Sequence, residues 1–159
     1  VTPQANIADP SEFAQDLRMP SPRPHLQTRE EVMFFDTDCG GVVHNLAYLR
    51  MIETCRTRLA ALMGMDLPTM ADTRVFPVVI RSEVDYQRPA KLGDWILIRG
   101  RLDELGRARF WCAFEMIRET DGITLVTARQ ALALVAMPAG KPLRLPAAWA
   151  EQWGSADFR

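Results

Sequence analysis

Apolar residues recur at steps of three and four over only one long stretch of this chain. Tyr48, Ile52, Cys55, Leu59 and Leu62 fall on one face, and Arg50, Glu53, Arg56, Arg58 and Ala60 fill other positions. This spacing predicts a long amphipathic helix that begins near His44 or Asn45 and stops at Gly64. Just before it come an apolar run at Phe34-Phe35, two aspartates at 36 and 38, and the pair Gly40-Gly41. A strand, a glycine-bearing turn and a helix start thus follow one another, with carboxylates at the junction.

The rest of the pattern is mostly strand. Thr28 to Phe35 reads as the first strand, and Arg74 to Arg88 as a long one in which Ser82, Val84 and Tyr86 alternate with Glu83 and Asp85. Trp95 to Leu102, Ala108 to Arg118 and Ile123 to Met137 complete the set, separated by turns at Leu92-Gly93-Asp94, Gly106 and Asp121-Gly122. Met65 to Thr73 reads as a connection. Short turns cannot join parallel neighbours, so the late strands are expected to be antiparallel. One amphipathic helix packed on one face of a curled antiparallel sheet buries both apolar surfaces, which is an α+β architecture.

Prolines 3, 10, 20, 22 and 24 mark residues 1–25 as an arm outside the core. Residues 26–140 form the predicted domain. Residues 141–159 form a C-terminal tail, with a short helix expected from Pro146 to Trp153.

Composition narrows the function. With 159 residues the chain is long enough for one domain with a real core. A net charge of -1, from 19 basic and 20 acidic side chains, lacks the basic footprint of a nucleic-acid binder. Three cysteines without a CxxC pair, and only two histidines, argue against a disulfide framework, a zinc module or a histidine-rich metal site. Cys55 and Cys112 are expected in the core. No apolar run is long enough to span a bilayer and no signal-peptide pattern opens the chain, so the expected compartment is the cytoplasm. Walker, dinucleotide-glycine and GxSxG motifs are absent.

The chemistry-bearing candidates cluster at the junction. Asp38 beside Gly40 and Gly41 can serve as a general base or a nucleophile toward a carbonyl, or simply as an Asx-turn residue. Asp36 is the stronger candidate for a turn or cap. Free N–H groups around Gly41 and Asn45 can polarise a carbonyl oxygen. His44 is either an acid–base group or a hydrogen-bonding residue at the helix start. Arg88 and Lys91 either meet phosphates at a pocket mouth or form a solvated loop edge. Cys39 has no matched histidine base, and Glu53 reads as a surface charge.

The run from Asp36 to Glu53, DTDCGGVVHNLAYLRMIE, resembles the hot-dog-fold acyl-CoA thioesterases of the 4-hydroxybenzoyl-CoA thioesterase type, especially the branch associated with the Tol–Pal gene cluster. That family's motif reads approximately D-x-D-x-x-G-x-V, then a polar pair, a tyrosine and a helix. Asp36, Asp38, Gly41, Val43, His44-Asn45, Tyr48 and Glu53 match it, and YQRPAKLGD from Tyr86 to Asp94 resembles the family's strand end and turn. The resemblance spans Thr28 to Met137. It implies a sheet wrapped around the long helix, a homodimer or tetramer, and acyl-CoA entering near the dimer interface with its phosphates on basic residues. Asp38 becomes the catalytic carboxylate, as nucleophile or base. Backbone N–H groups around Gly41 and Asn45 become the oxyanion site, with His44, Tyr48, Arg88 and Lys91 around the substrate. No metal or redox cofactor is implied. Two departures stand out: Cys39-Gly40 precede Gly41, and His44-Asn45 replace the Tyr-His of related branches, which shifts the histidine by one position. The alternatives are an acyl-carrier-protein thioesterase, a hot-dog dehydratase and a non-catalytic acyl-CoA-binding protein.

Overall fold

The computed structural model describes residues 23–154. Most of the arm, residues 1–22, lies outside them. The elements are β1 (His25–Glu31), α1 (Asn45–Leu62), α2 (Leu67–Thr73), β2 (Val75–Tyr86), β3 (Trp95–Leu105), β4 (Arg109–Arg118), β5 (Thr124–Ala136), β6 (Lys141–Leu143) and α3 (Ala147–Trp153). The sheet order is β1-β3-β4-β5-β2, with β6 also pairing β5, and every pairing is antiparallel. Register shifts at Val79/Arg81 in β2 and Leu102/Glu104 in β3 mark bulges, which bend strands and increase twist. The curled sheet holds α1 against its inner face, where Met51, Ile52, Cys55 and Leu59 meet Ile98, Leu102, Phe114 and Met116 in one buried cluster. This is the predicted α+β arrangement.

The helix face needs one correction. Leu62 is 57 % exposed, while Met51 and Ala60 are buried. The helix ends at Leu62, Gly64 turns the chain with φ +82°, and the buried Met63 and Met65 take the core positions beyond it. Cys55 and Cys112 are buried as expected, and burial pushes the Cys112 thiol up to about 12.

The first strand also differs from the expectation. It runs from His25, paired to Arg101, to Glu31, paired to Trp95, and the chain then leaves the sheet. Phe34 and Phe35 form a single 3₁₀ turn with Asp36 and are 80 % and 71 % exposed, so their apolar weight marked a surface turn and not a strand. The presumed connection at 65–73 contains α2. Asp66 caps it by accepting the Thr69 N–H at 2.9 Å, which holds that carboxyl below its usual range, and Pro68 sits in the first turn, where its missing N–H costs nothing.

Beyond residue 140 the chain returns to the domain. Leu134 and Ala136 of β5 pair with Leu143 and Lys141 of β6. Trp149 and Trp153 of α3 are buried in the main core, with Trp149 edge-on to Phe110 at 5.4 Å. Trp149→Ala is expected to cost about 3–5 kcal/mol, whereas Leu62→Ala should stay within about 0.5 kcal/mol; urea unfolding of both variants checks the contrast.

Candidate active site

The loop from Met33 to His44 is built by the two aspartates in different ways. Asp36 is almost wholly buried: Oδ2 accepts the Met33 N–H at 3.0 Å, and Oδ1 meets Arg50 Nη2 at 3.2 Å. Its carbonyl also accepts the His44 N–H at 3.0 Å, which ties the loop's start to the helix start. Asp38 is exposed. Its Oδ1 accepts the Gly40 N–H at 2.7 Å in an Asx turn, its N–H donates to Val42 O, and its carbonyl accepts the Gly41 N–H at 3.0 Å. Oδ2 has no hydrogen-bond partner among the described residues. Asp36 is therefore consumed by the fold, and Asp38 keeps an oxygen free on a loop held from both sides.

Gly41 contributes conformation. It sits at φ +73°, where a side chain would be strained, and its N–H is already donated to Asp38. His44 is the N-cap of α1, its Nδ1 accepting the Ala47 N–H at 3.3 Å. Asn45 is the first helical residue. The helix start leaves the Asn45 and Leu46 N–H groups without an intrahelical partner, at its positive end.

A cleft of about 300 Å³ opens at this helix start, walled by Val43, Asn45, Tyr48, Tyr86 and Arg88 among others. Tyr48 is buried, its phenol oxygen accepts the Ala90 N–H at 2.8 Å, and burial pushes its pKa up, so the ring stays neutral. The structure thus brings Asn45, Tyr48 and Arg88 to one cavity. Lys91 lies beside it, paired to Val42 in a β-bridge, and Asp38 does not line it.

Two contributors were not singled out from the sequence. Tyr86 packs against Tyr48 with ring centres 5.8 Å apart and planes tilted by 53°, and forms a wall of the cleft. Arg118 clamps the loop that carries Arg88 and Lys91: Nη2 donates to Pro89 O at 2.7 Å, Nε meets Asp94 Oδ2 at 3.1 Å, and Nη1 meets Asp121 Oδ2 at 2.7 Å. Asp94, three residues after Lys91 and bonded to its N–H, was the available signal. Among the described residues there is no cluster of side chains fit to hold a metal ion and no helix long and apolar enough to cross a membrane.

This geometry has relatives. A family model for the thioesterase-like superfamily matches residues 32–153. The chain belongs to that superfamily. A probable thioesterase from Bartonella henselae, solved as a crystal structure, superposes with a TM-score of 0.70 at 30 % identity, over 77 % of this chain and 99 % of that one. Acyl-CoA thioesterase YbgC of Haemophilus influenzae is 28 % identical over 116 residues, 72 % of this chain and 84 % of its own. A 1,4-dihydroxy-2-naphthoyl-CoA hydrolase of Synechococcus elongatus is 33 % identical over 86 residues, 53 % of this chain and 63 % of its own. The fold of this thioesterase-like chain is accordingly the hot-dog fold, with its sheet not closed into a barrel.

The division between the aspartates sets a stability test. Asp36→Ala leaves the Met33 N–H and the Arg50 cation without their carboxylate and is expected to destabilise the chain by about 1–3 kcal/mol, read by thermal or urea unfolding.

Proposed function

We propose that this chain hydrolyses acyl-CoA thioesters, with Asp38 as its catalytic carboxylate. Thioester hydrolysis is the chemistry of the superfamily, and coenzyme A as the leaving group follows the YbgC and naphthoyl-CoA relatives. The observation that carries the role of Asp38 is its unspent carboxylate oxygen on a fixed loop that leads into the open helix start. Asp38 attacks the thioester carbonyl or draws a proton from the attacking water. The Asn45 and Leu46 N–H groups then take the negative charge that develops on the carbonyl oxygen. The C–S bond breaks and the thiolate leaves. On the base route it takes the proton that Asp38 drew from water. On the nucleophilic route a water cleaves the acyl–Asp38 anhydride, releases the acid, restores the carboxylate and supplies that proton. Arg88 and Lys91 supply positive charge at the mouth for the nucleotide phosphates. His44 positions the helix start as its cap. No carboxylate bonds its ring among the described residues, which favours hydrolysis over the dehydratase alternative.

The finer placement, in the 4-hydroxybenzoyl-CoA thioesterase type and its Tol–Pal-associated branch, rests on the DTDCGGVV run and belongs to the same proposal. So does a homodimer. Among the described residues β2 pairs only with β5, leaving a long open edge where Val79 and Ile80 are exposed. That Asp38 stands outside its own chain's cleft supports a site completed between two copies.

Asp38→Asn retains an amide oxygen for the Gly40 N–H, so the loop should keep its shape. Thiol release from a panel of short, medium, long and aromatic acyl-CoAs should fall by about 10²–10⁴-fold with an unchanged melting temperature; full activity in the variant removes Asp38 from the mechanism. Ile80→Lys is expected to shift the chain toward monomer in sedimentation velocity and to lower thiol release in parallel.

A further inference from the structure

A second cavity, of about 190 Å³, lies further along α1. Met63, Met70, Phe76, Phe110 and Leu132 form its apolar side, with Trp149 edge-on behind Phe110, and Glu53 and Thr57 line it beside Arg56. One cation enters this wall. Arg56 belongs to the face that the helical pattern assigned to solvent, yet its side chain is only 19 % exposed. Its Nη1 donates to Gln130 Oε1 at 2.6 Å, and the buried Gln130 passes its own amide N–H to Ser82 Oγ at 3.1 Å. The nearest carboxylate, Glu53, stands 3.7 Å from Nη2 and is itself mostly in water, a weak and screened contact. A guanidinium has five N–H donors, and Gln130 takes one of them at hydrogen-bond distance. Burial holds Arg56 below the ordinary arginine value, with Glu53 opposing. A cation kept out of water with donors to spare contributes little stability, since an apolar side chain would fill the same wall at lower cost.

The position of Arg56 relates it to the first cleft. Asn45 and Arg56 are eleven residues apart, close to three turns, so they project from the same side of α1, about 16 Å apart along its axis. Helical side chains lean toward the N-terminus, which tilts Arg56 toward the cleft. β2 borders both cavities, with Tyr86 at the first and Phe76 at the second. One helix side and one strand therefore run from the helix start, where the thioester carbonyl would lie, to the guanidinium.

We propose that the second cavity receives the distal part of the acyl group, and that Arg56 selects acyl groups ending in an oxygen acceptor, hydroxyl or carboxylate, over plain hydrocarbon chains. The proposal rests on the acyl-CoA reading above and adds the substrate class. Met63, Met70, Phe76 and Leu132 accommodate the hydrocarbon body, Phe110 closes the far wall, and the free donors of Arg56 meet the terminal oxygen.

The test compares kcat/KM for plain, ω-hydroxy and ω-carboxy acyl-CoAs of matched length, from hexanoyl to dodecanoyl, in wild type, Arg56→Met and Arg56→Lys. Wild type should favour the oxygen-ended member at one or more lengths by about 10- to 100-fold, the value of a hydrogen bond to a charged group. Arg56→Met should bring that ratio close to unity, and Arg56→Lys, which keeps the charge and loses the fork, should restore part of it. Dissociation constants for the corresponding CoA thioethers, which cannot be hydrolysed, separate this proposal from the reaction itself. An Arg56-dependent preference among thioethers without thiol release from any ester would sustain the pocket and remove the hydrolase reading. Equal values for plain and oxygen-ended members at every length, or a preference that persists in Arg56→Met, overturns the pocket. Should Arg56→Met fail to fold, the same ratios in Arg56→Lys decide the matter: an unchanged preference counts against the fork.

Discussion

The depth at which α1 sits in the curled sheet governs everything else in this domain. At Gly100 in β3 the helix comes so close that a Cβ would lie 2.7 Å from Cys55 Sγ and 3.2 Å from the Phe114 ring. The Cys55 thiol reaches the Ile98 carbonyl at 3.7 Å, a weak contact that only such proximity permits. Because the helix is seated this low, β3, β4 and β5 can curl around it and still close their side chains on Met51, Ile52 and Leu59. The same seating delivers the N-terminus of α1 to the loop from Met33 to His44 and leaves one side of the helix open toward β2. The cleft and the second cavity both lie on that open side.

Given the helix, two polar clamps fix what surrounds its start. Asp36 spends its side chain on the loop and its carbonyl on His44, and Arg50, one turn into α1, closes the link while also meeting Glu30 of β1 at 3.3 Å. Arg118 does the corresponding work on the opposite wall by holding Pro89, Asp94 and Asp121 together. Buried or half-buried charges of this kind are poor sources of net stability but strong determinants of geometry, because removing one partner strands the other. The backbone of the site is thus over-determined, and Asp38 can remain unpaired at Oδ2 without the loop collapsing onto it.

Much of this was readable from the chain, for identifiable reasons. Strong periodicity marked α1, and alternation with short turns marked the four late strands, since both follow from burial of one face. The DTDCGGVV run located the loop and the candidate carboxylate. Errors arose where apolar character and burial part company. Phe34 and Phe35 looked like strand and are exposed; Leu62 continued a helical face that had already left the sheet. Arg56 is the opposite case, a charge on the nominally polar side of the helix that the curl of the sheet and α2 enclose. No local pattern reports such enclosure, because it depends on Phe76, Phe110 and Leu132, which arrive from three strands. α2, in contrast, carries a legible cue, Asp66 followed by Pro68.

The Arg56–Gln130–Ser82 chain shows how this interior departs from an oily one. It starts at Arg56 in the wall of the second cavity and crosses from α1 to β5 to β2, each link within hydrogen-bond distance. Arg56 supplies the partner of the buried Gln130 carbonyl oxygen, and the Gln130 amide donates to Ser82 on the open-edged strand. The position of β2 relative to α1 is therefore set by a polar contact as well as by packing. An apolar ladder would fix that spacing only by volume and would tolerate sliding; directional bonds hold the trough between α1 and β2 at one width. For a domain whose proposed ligand lies along that trough, a defined width does for the acyl chain what the fixed loop does for its carbonyl.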